Sequence, residues 1–306
     1  MTTNPLTADG SVELATVLRS GIPESRHLGV AVLVAADGAV LESHGETGAI
    51  VFPRSALKPL QALAMLEAGA PLEGDALGLA TASHDGTAAH VAVVEGMLAA
   101  AGLTEHDLGC PRAWPADPTA RAAAEGPRRI TMVCSGKHAG FLTASVSSGA
   151  TTADYLEAGH PVQRRVAAVV EDHAHERVAH WGVDGCLAPT PALSLRGFAR
   201  AFGSATGSAS PVRQAVVAAP WTIEGPGAID TTIIERTGFF VKTGAEGVIA
   251  VSVPDVATVA VKVLDGSRRP AASVALTLLS RAGLLDESLR AEVEALVGSP
   301  GVEVAI

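Results

Sequence analysis

Four lysines stand in a chain that carries eighteen arginines, and three of them sit in short polar motifs: Ser55-Ala-Leu-Lys58, Cys134-Ser-Gly-Lys137 and Val241-Lys242-Thr243-Gly244. A lysine amine can be driven neutral by burial or by a neighbouring cation, whereas a guanidinium stays protonated. Where charge alone is needed, a chain this rich in arginine can use arginine. Lysine at these positions therefore points to amines that act as bases or ligands.

The segment Phe52-Pro-Arg-Ser-Ala-Leu-Lys-Pro-Leu-Gln61 reads as the approach to a helix running to about Ala68, with Ser55 as its cap and Pro59 tolerated in the first turn. Lys58, three residues on, then shares a face with Ser55. Ser-x-x-Lys is how penicillin-binding proteins and serine β-lactamases attack a carbonyl, the lysine taking the hydroxyl proton. An ordinary serine cap beside a surface lysine gives the same pattern. Lys242-Thr243-Gly244 closes an apolar strand, as Lys-Thr-Gly does in those enzymes. Two lysines converging on one pocket lower each other's proton affinity, which leaves a base near neutral pH.

Other polar clusters are less specific. In Ala82-Ser-His-Asp-Gly86 the spacing alone favours a cap for the helix from Thr87 over a second serine site, and His84 reads as an orienting or exposed residue rather than a metal ligand. Cys134-Ser-Gly-Lys137 lacks the upstream glycine of a phosphate loop. Asp184-Gly-Cys186 suggests a tight turn exposing both side chains. Two thiols with a lysine or histidine suit zinc by softness, although the separation of Cys134 from Cys186 matches no zinc-finger framework. Cys110, before Pro111, reads as structural, and the odd total of three cysteines argues for reduced thiols.

The elements that must position these groups follow from periodicity. Leu28–Ala35, Asp37-Gly38 and Ala39–Ser43 read as a hairpin; Gly238–Lys242, Val248–Val253 and Thr258–Val263 read as a meander. Between them, Thr87–Ala101, Lys137–Ser147, Pro161–His175, Leu193–Phe202 and Pro211–Ala219 have helical spacing, and Gly203–Ser210 reads as a flexible connection. The expected fold class is α+β: an antiparallel sheet from the N- and C-terminal segments flanked by helices, with a helical middle. The last helices, Pro270–Ala282 and Asp286–Val297, would cover one sheet face. No βαβ alternation supports a Rossmann or barrel fold. One domain over 1–306 is expected, with a sheet-containing part at 1–75 plus 236–306 and a mainly helical part at 76–235.

The net charge of −10 leaves no basic footprint for nucleic acid. The N-terminal ten residues have neither a basic nor an apolar leader region, and no apolar stretch approaches the ~20 residues of a membrane span, so a cytoplasmic protein is expected.

Taken together, the segments 52–58, 82–84, 114–115, 134–140, 160–163, 183–186 and 242–248 resemble the Rhizobium-etli-type asparaginases, the asparaginase II family, in family order across almost the whole chain. The resemblance implies a serine β-lactamase-like fold, hydrolysis of L-asparagine to L-aspartate and ammonia, and a homodimer. It implies two Ser–Lys tandems, Ser55 with Lys58 and Ser83 with Lys242, and a zinc site of Cys134, Lys137 and Cys186. Arg54, His138 and Asp184 become neighbours that orient the substrate or its water. Ser83 thereby moves from cap to catalytic residue.

Ala113, Met132, Val133 and Thr243 depart from the family's pattern, which bears on substrate preference. Two rival readings are a penicillin-recognising serine hydrolase, disfavoured by the lack of Ser-Asp-Asn between the motifs, and a non-catalytic zinc or amino-acid-binding protein on the same scaffold.

Overall fold

The computed structural model describes residues 4–298 and 300–306, so the first three residues of the N-terminal segment read above lie outside it. The strands are β1 (Val12–Arg19), β2 (Ile22–Ala35), β3 (Val40–His44), β4 (Ile50–Val51), β5 (His180–Val183), β6 (Pro189–Ser194), β7 (Phe240–Thr243), β8 (Val248–Val253), β9 (Ala257–Val263) and β10 (Val302–Val304). The helices are α1 (Lys58–Glu67), α2 (Gly74–Ala80), α3 (Ala88–Ala100), α4 (Pro118–Ala123), α5 (Ser135–Ser147), α6 (Pro161–Ala174), α7 (Leu195–Ala205), α8 (Pro211–Ala218), α9 (Ile229–Thr237), α10 (Ala271–Arg281) and α11 (Glu287–Val297).

The main sheet runs β10-β1-β2-β9-β8-β7, with β3 also paired to β2, and its strands come only from the two ends of the chain. The two segments are joined where β2 meets β9 antiparallel, from Gly29 opposite Val263 to Ala35 opposite Ala257. Val248 to Ser252 and Ala257 to Val261 are buried without alternation. Continuous burial needs cover on both faces of a strand, and α7 and α10 both pack on this part of the sheet. The hairpin and the meander are thus as expected, and β1, which the apolar pattern did not announce, extends the sheet through the Ser20-Gly21 turn.

The middle is helical but not purely so, because β4, β6 and β5 form a second sheet of three strands. Pro189–Ser194, part of which carries helical spacing, is the central strand of that sheet, and α7 starts only after it, capped by Ser194 accepting from Gly197 N. The stretch 203–210 is no flexible link. Its first residues complete α7, the Ser208 amide donates to Asp255, and Ser210 caps α8.

Two helices carry or adjoin several of the candidate site residues. A 3₁₀ turn, Arg54–Leu57, precedes α1, so Ser55 lies inside a turn and is not a cap. In α5 every residue from Ser135 to Ser145 is buried. Its glycines permit that depth: a Cβ at Gly136 would stand 2.4 Å from the Leu79 carbonyl oxygen, and one at Gly140 2.6 Å from Met65 Sδ. Gly136 of this motif therefore serves close helix packing.

Candidate active site

Three lysines, Lys58, Lys137 and Lys242, are among the largest fully buried side chains of the protein. Burying an unpaired ammonium is expensive, so each must be neutral or partnered. The three solutions differ.

Lys58 opens α1 and reaches across to the Ala82–Gly86 segment. Its amine lies 3.0 Å from Ser83 Oγ and 3.2 Å from Cys134 Sγ, and it also donates to the Ala82 carbonyl. Burial lowers its pKa from the ordinary lysine value; the cations of Lys137 and Lys242 push the same way, against the opposing pull of Cys134. Ser83 is half-buried and reachable, and it caps nothing, since the N-cap of α3 is Thr87, whose hydroxyl accepts from His90 N. The Ser83 segment is pinned by backbone bonds from Ser83 N to Ile223 O, His84 N to Val133 O and Asp85 N to Glu224 O. His84 is fully buried. Its Nδ1 accepts from Gly86 N, so its Nε2 donates to Ser135 Oγ, and the Ser135 hydroxyl donates to the Ile130 carbonyl. Burial holds His84 well below its ordinary pKa, with His90 and Lys58 adding to the effect.

Lys242 lies on edge strand β7 and is ion-paired with Asp230 of α9, both side chains fully buried. The tandems inferred above pair Ser55 with Lys58 and Ser83 with Lys242. The hydrogen bonds instead join Lys58 to Ser83 and Lys242 to Asp230. Ser55 Oγ makes no hydrogen bond among the described residues. Ser55 is nonetheless close to β7, because the glycine ending Lys242-Thr243-Gly244 packs on its turn: a Cβ at Gly244 would meet Pro53 O at 2.4 Å.

The third lysine belongs to a sulfur and nitrogen cluster. Lys137 Nζ stands 3.0 Å from Cys186 Sγ. Burial alone would lower the Lys137 pKa, but Cys186 and then Cys134 raise it overall. The Cys134 thiol donating to Cys186 drives Cys186 toward the thiolate despite burial, with Lys137 adding to it, and Cys134 keeps its proton. Cys186 is buried, which corrects the expectation of an exposed thiol: the β5–β6 turn points it inward. His138 accepts from or donates to Tyr155 Oη through Nδ1 at 2.6 Å, whereas its Nε2 is buried without a partner. Among the described residues no three His, Cys, Asp or Glu side chains form a ready metal cluster. Two thiols, an amine and an orphaned imidazole nitrogen nevertheless make a donor set that fits zinc by type.

Arg54 and Asp184 come together from distant segments, with Arg54 Nε and one terminal nitrogen each 2.7 Å from Asp184 Oδ1. Arg54 has a left-handed φ of 54°, a costly conformation for a side chain this size, immediately before Ser55. A cavity of about 550 Å³ opens beside it, lined by Phe52, His180, Glu246 and Lys262 among others. None of Ser55, Lys58, Ser83 or Lys242 lines that cavity, so it is a neighbour of the lysine site rather than the site itself.

Sequence reading missed Asp230, Glu224 and Arg268. The available signal was an acidic residue inside Ala228-Ile-Asp-Thr-Thr-Ile-Ile234, where a helix buried in the core has no reason to carry one.

A sequence profile described as L-asparaginase II matches residues 15–304. No curated protein matches the chain. A solved structure described as Mglu in its glutamate form is 13% identical, with a TM-score of 0.47; the match covers 84% of this chain and 61% of that one. Similarity that distant carries neither fold nor function across.

Proposed function

The chain belongs to the L-asparaginase II family, and on that premise we propose that this amide-hydrolase candidate converts L-asparagine to L-aspartate and ammonia through a Ser–Lys mechanism. The observation that carries the reading is the buried Lys58 amine 3.0 Å from the reachable Ser83 hydroxyl. The amine takes the hydroxyl proton as the serine oxygen bonds to the amide carbon. The C–N bond then breaks, the proton goes to the departing nitrogen, and ammonia leaves an acyl-enzyme ester. Water adds to the ester, giving the proton back through the amine, and releases aspartate.

The contact supports Ser83 as the serine that Lys58 activates directly. Ser55, on the turn leading into Lys58, is then the second hydroxyl of the site and relays protons. Arg54, Asp184 and His138 orient the substrate. Cys134, Lys137 and Cys186 would hold zinc, with the free His138 Nε2 beside them, and the ion when bound supplies a Lewis-acid anchor for the amino or carboxylate end of the substrate. A serine β-lactamase-like arrangement and a homodimer belong to the same proposal.

The test is protein purified without chelator, assayed with asparagine, glutamine and a chromogenic β-lactam, with metal content measured on the same preparation. Asparagine is expected to be preferred, because an extra methylene misplaces the amide against a fixed serine. Equal turnover of both amides removes the preference, and no turnover of either removes the enzyme reading. Lactam hydrolysis without ammonia release favours the penicillin-recognising rival. Zinc that is absent, or unchanged in the Cys134→Ala, Cys186→Ala double variant, counts against the metal site.

A further inference from the structure

We propose that Asp230 is a positioning residue that fixes Lys242 as the cation of the site, a role that rests on the amide-hydrolase reading above. Asp230 lies in the first turn of α9, where the helix dipole favours a carboxylate. Its Oδ2 accepts from Lys242 Nζ. Both of its oxygens accept from Thr243 N, at 2.9 and 3.1 Å, and Oδ2 also accepts from Thr243 Oγ1 at 3.2 Å. Its own backbone N–H donates to Glu224 Oε2 at 3.0 Å. Arg268 closes the arrangement, donating to Thr243 Oγ1 at 3.2 Å and lying 3.4 Å from Glu224. The carboxylate is therefore held by β7 from one side and its own helix from the other, and cannot follow Lys242 if the lysine moves.

Stability alone does not account for this pair. A fully buried ion pair is often no more stabilising than apolar residues of the same volume. What it does provide is a charged amine at a fixed point. An ammonium has three N–H donors, and Asp230 engages one; the remaining two have no partner among the described residues. Lys242 lowers the Lys58 pKa and so shares its electrostatic space. The two lysines thus divide the work. Lys58 faces a hydroxyl, and Lys242 presents a fixed positive charge to the negative charge that develops on the amide oxygen.

The small number of lysines makes a direct test possible. In protein labelled only at lysine side chains, four resonances are expected, and Lys242→Met assigns one. At mildly alkaline pH the Lys242 resonance should have the ammonium shift in the parent and in Asp230→Glu, and should move toward the neutral amine in Asp230→Asn. For ammonia release, Asp230→Asn should lose roughly 10²-fold or more in kcat, the scale of removing one preorganised charge donor, with KM within a few-fold. Asp230→Glu, which keeps the charge but displaces it, should lose kcat less. A folded Asp230→Asn with an unmoved Lys242 resonance, or with parental kcat, overturns the proposal. If Asp230→Asn does not fold, Asp230→Glu decides, and parental kcat there overturns it. A parent that releases no ammonia while the resonance moves as expected refutes the amide-hydrolase reading and leaves the Asp230–Lys242 pairing standing.

Discussion

At the scale of single residues, the three buried lysines answer one problem in three ways: Lys58 by desolvation, Lys137 by a thiolate and Lys242 by a carboxylate. The expectation that both Lys58 and Lys242 act as neutral amines meets different surroundings at the two positions: Lys58 faces the Ser83 hydroxyl, whereas Lys242 touches the Asp230 carboxylate. Lys58→Arg should lose roughly 10²–10⁴-fold in kcat, the usual contribution of a positioned general base, because a guanidinium takes no proton. Lys242→Arg should lose less, since charge is what it supplies. Steady-state rates on variants with parental circular dichroism check the order, and equal losses would show that both amines do the same job. Lys262 is the control. It donates to the carbonyls of Glu246 and Val263, bonds that arginine can also make, so Lys262→Arg should be nearly silent.

At the scale of elements, the site depends on the contact between β7 and the 3₁₀ turn before α1. Gly244 sits where a Cβ would fall 2.4 Å from Pro53 O and 3.3 Å from Ala56 N, both backbone atoms that cannot rotate aside. Gly244→Ala must therefore push the Ser55 turn away from Lys242. Overpacking of this kind costs typically about 1–3 kcal/mol, and a small misplacement of catalytic groups costs rate more heavily than stability. The expected result is a modest drop in Tm with a much larger drop in kcat. A variant with parental kcat would show that the turn and β7 are independent. The Lys-Thr-Gly motif thus contains a lysine paired with Asp230, a threonine that braces the same carboxylate, and a glycine that lets the turn approach.

At the scale of the whole molecule, the lysine site lies between the sheet built from the chain ends and the helices of the middle. Lys242 comes from β7, whereas Asp230, Ser83 and Cys134 come from the middle of the sequence. Neither part can bury its share of the site alone: without α7 the continuous apolar runs of β8 and β9 would face water, and without β7 Asp230 would be an unpaired buried charge. The expectation of one domain over 1–306 then becomes a prediction. Thermal unfolding should be a single transition, coincident by far-ultraviolet circular dichroism and by tryptophan fluorescence from Trp114, Trp181 and Trp221, all in the middle part of the sequence. Two separated transitions would show that the parts fold independently.

What the sequence determined by itself was whatever depends on local order. The meander, the hairpin and most helix boundaries follow from apolar periodicity and caps. The family was legible from motifs running in order along the chain. Helical spacing reached too far at Leu193 and Ser194, where pairing with a neighbouring strand, absent from any local window, made the residues the end of a strand. Tertiary structure alone decided which groups meet. Ser55 and Lys58 are three residues apart, yet the hydroxyl that Lys58 touches is Ser83, on another segment. Lys242 faces Asp230 because β7 packs on α9, and Cys186 turns inward because the β5–β6 turn does. Spacing along a chain fixes which face of one element a residue occupies, whereas an ion pair or a pKa depends on distances and burial between elements, which exist only once the core has closed.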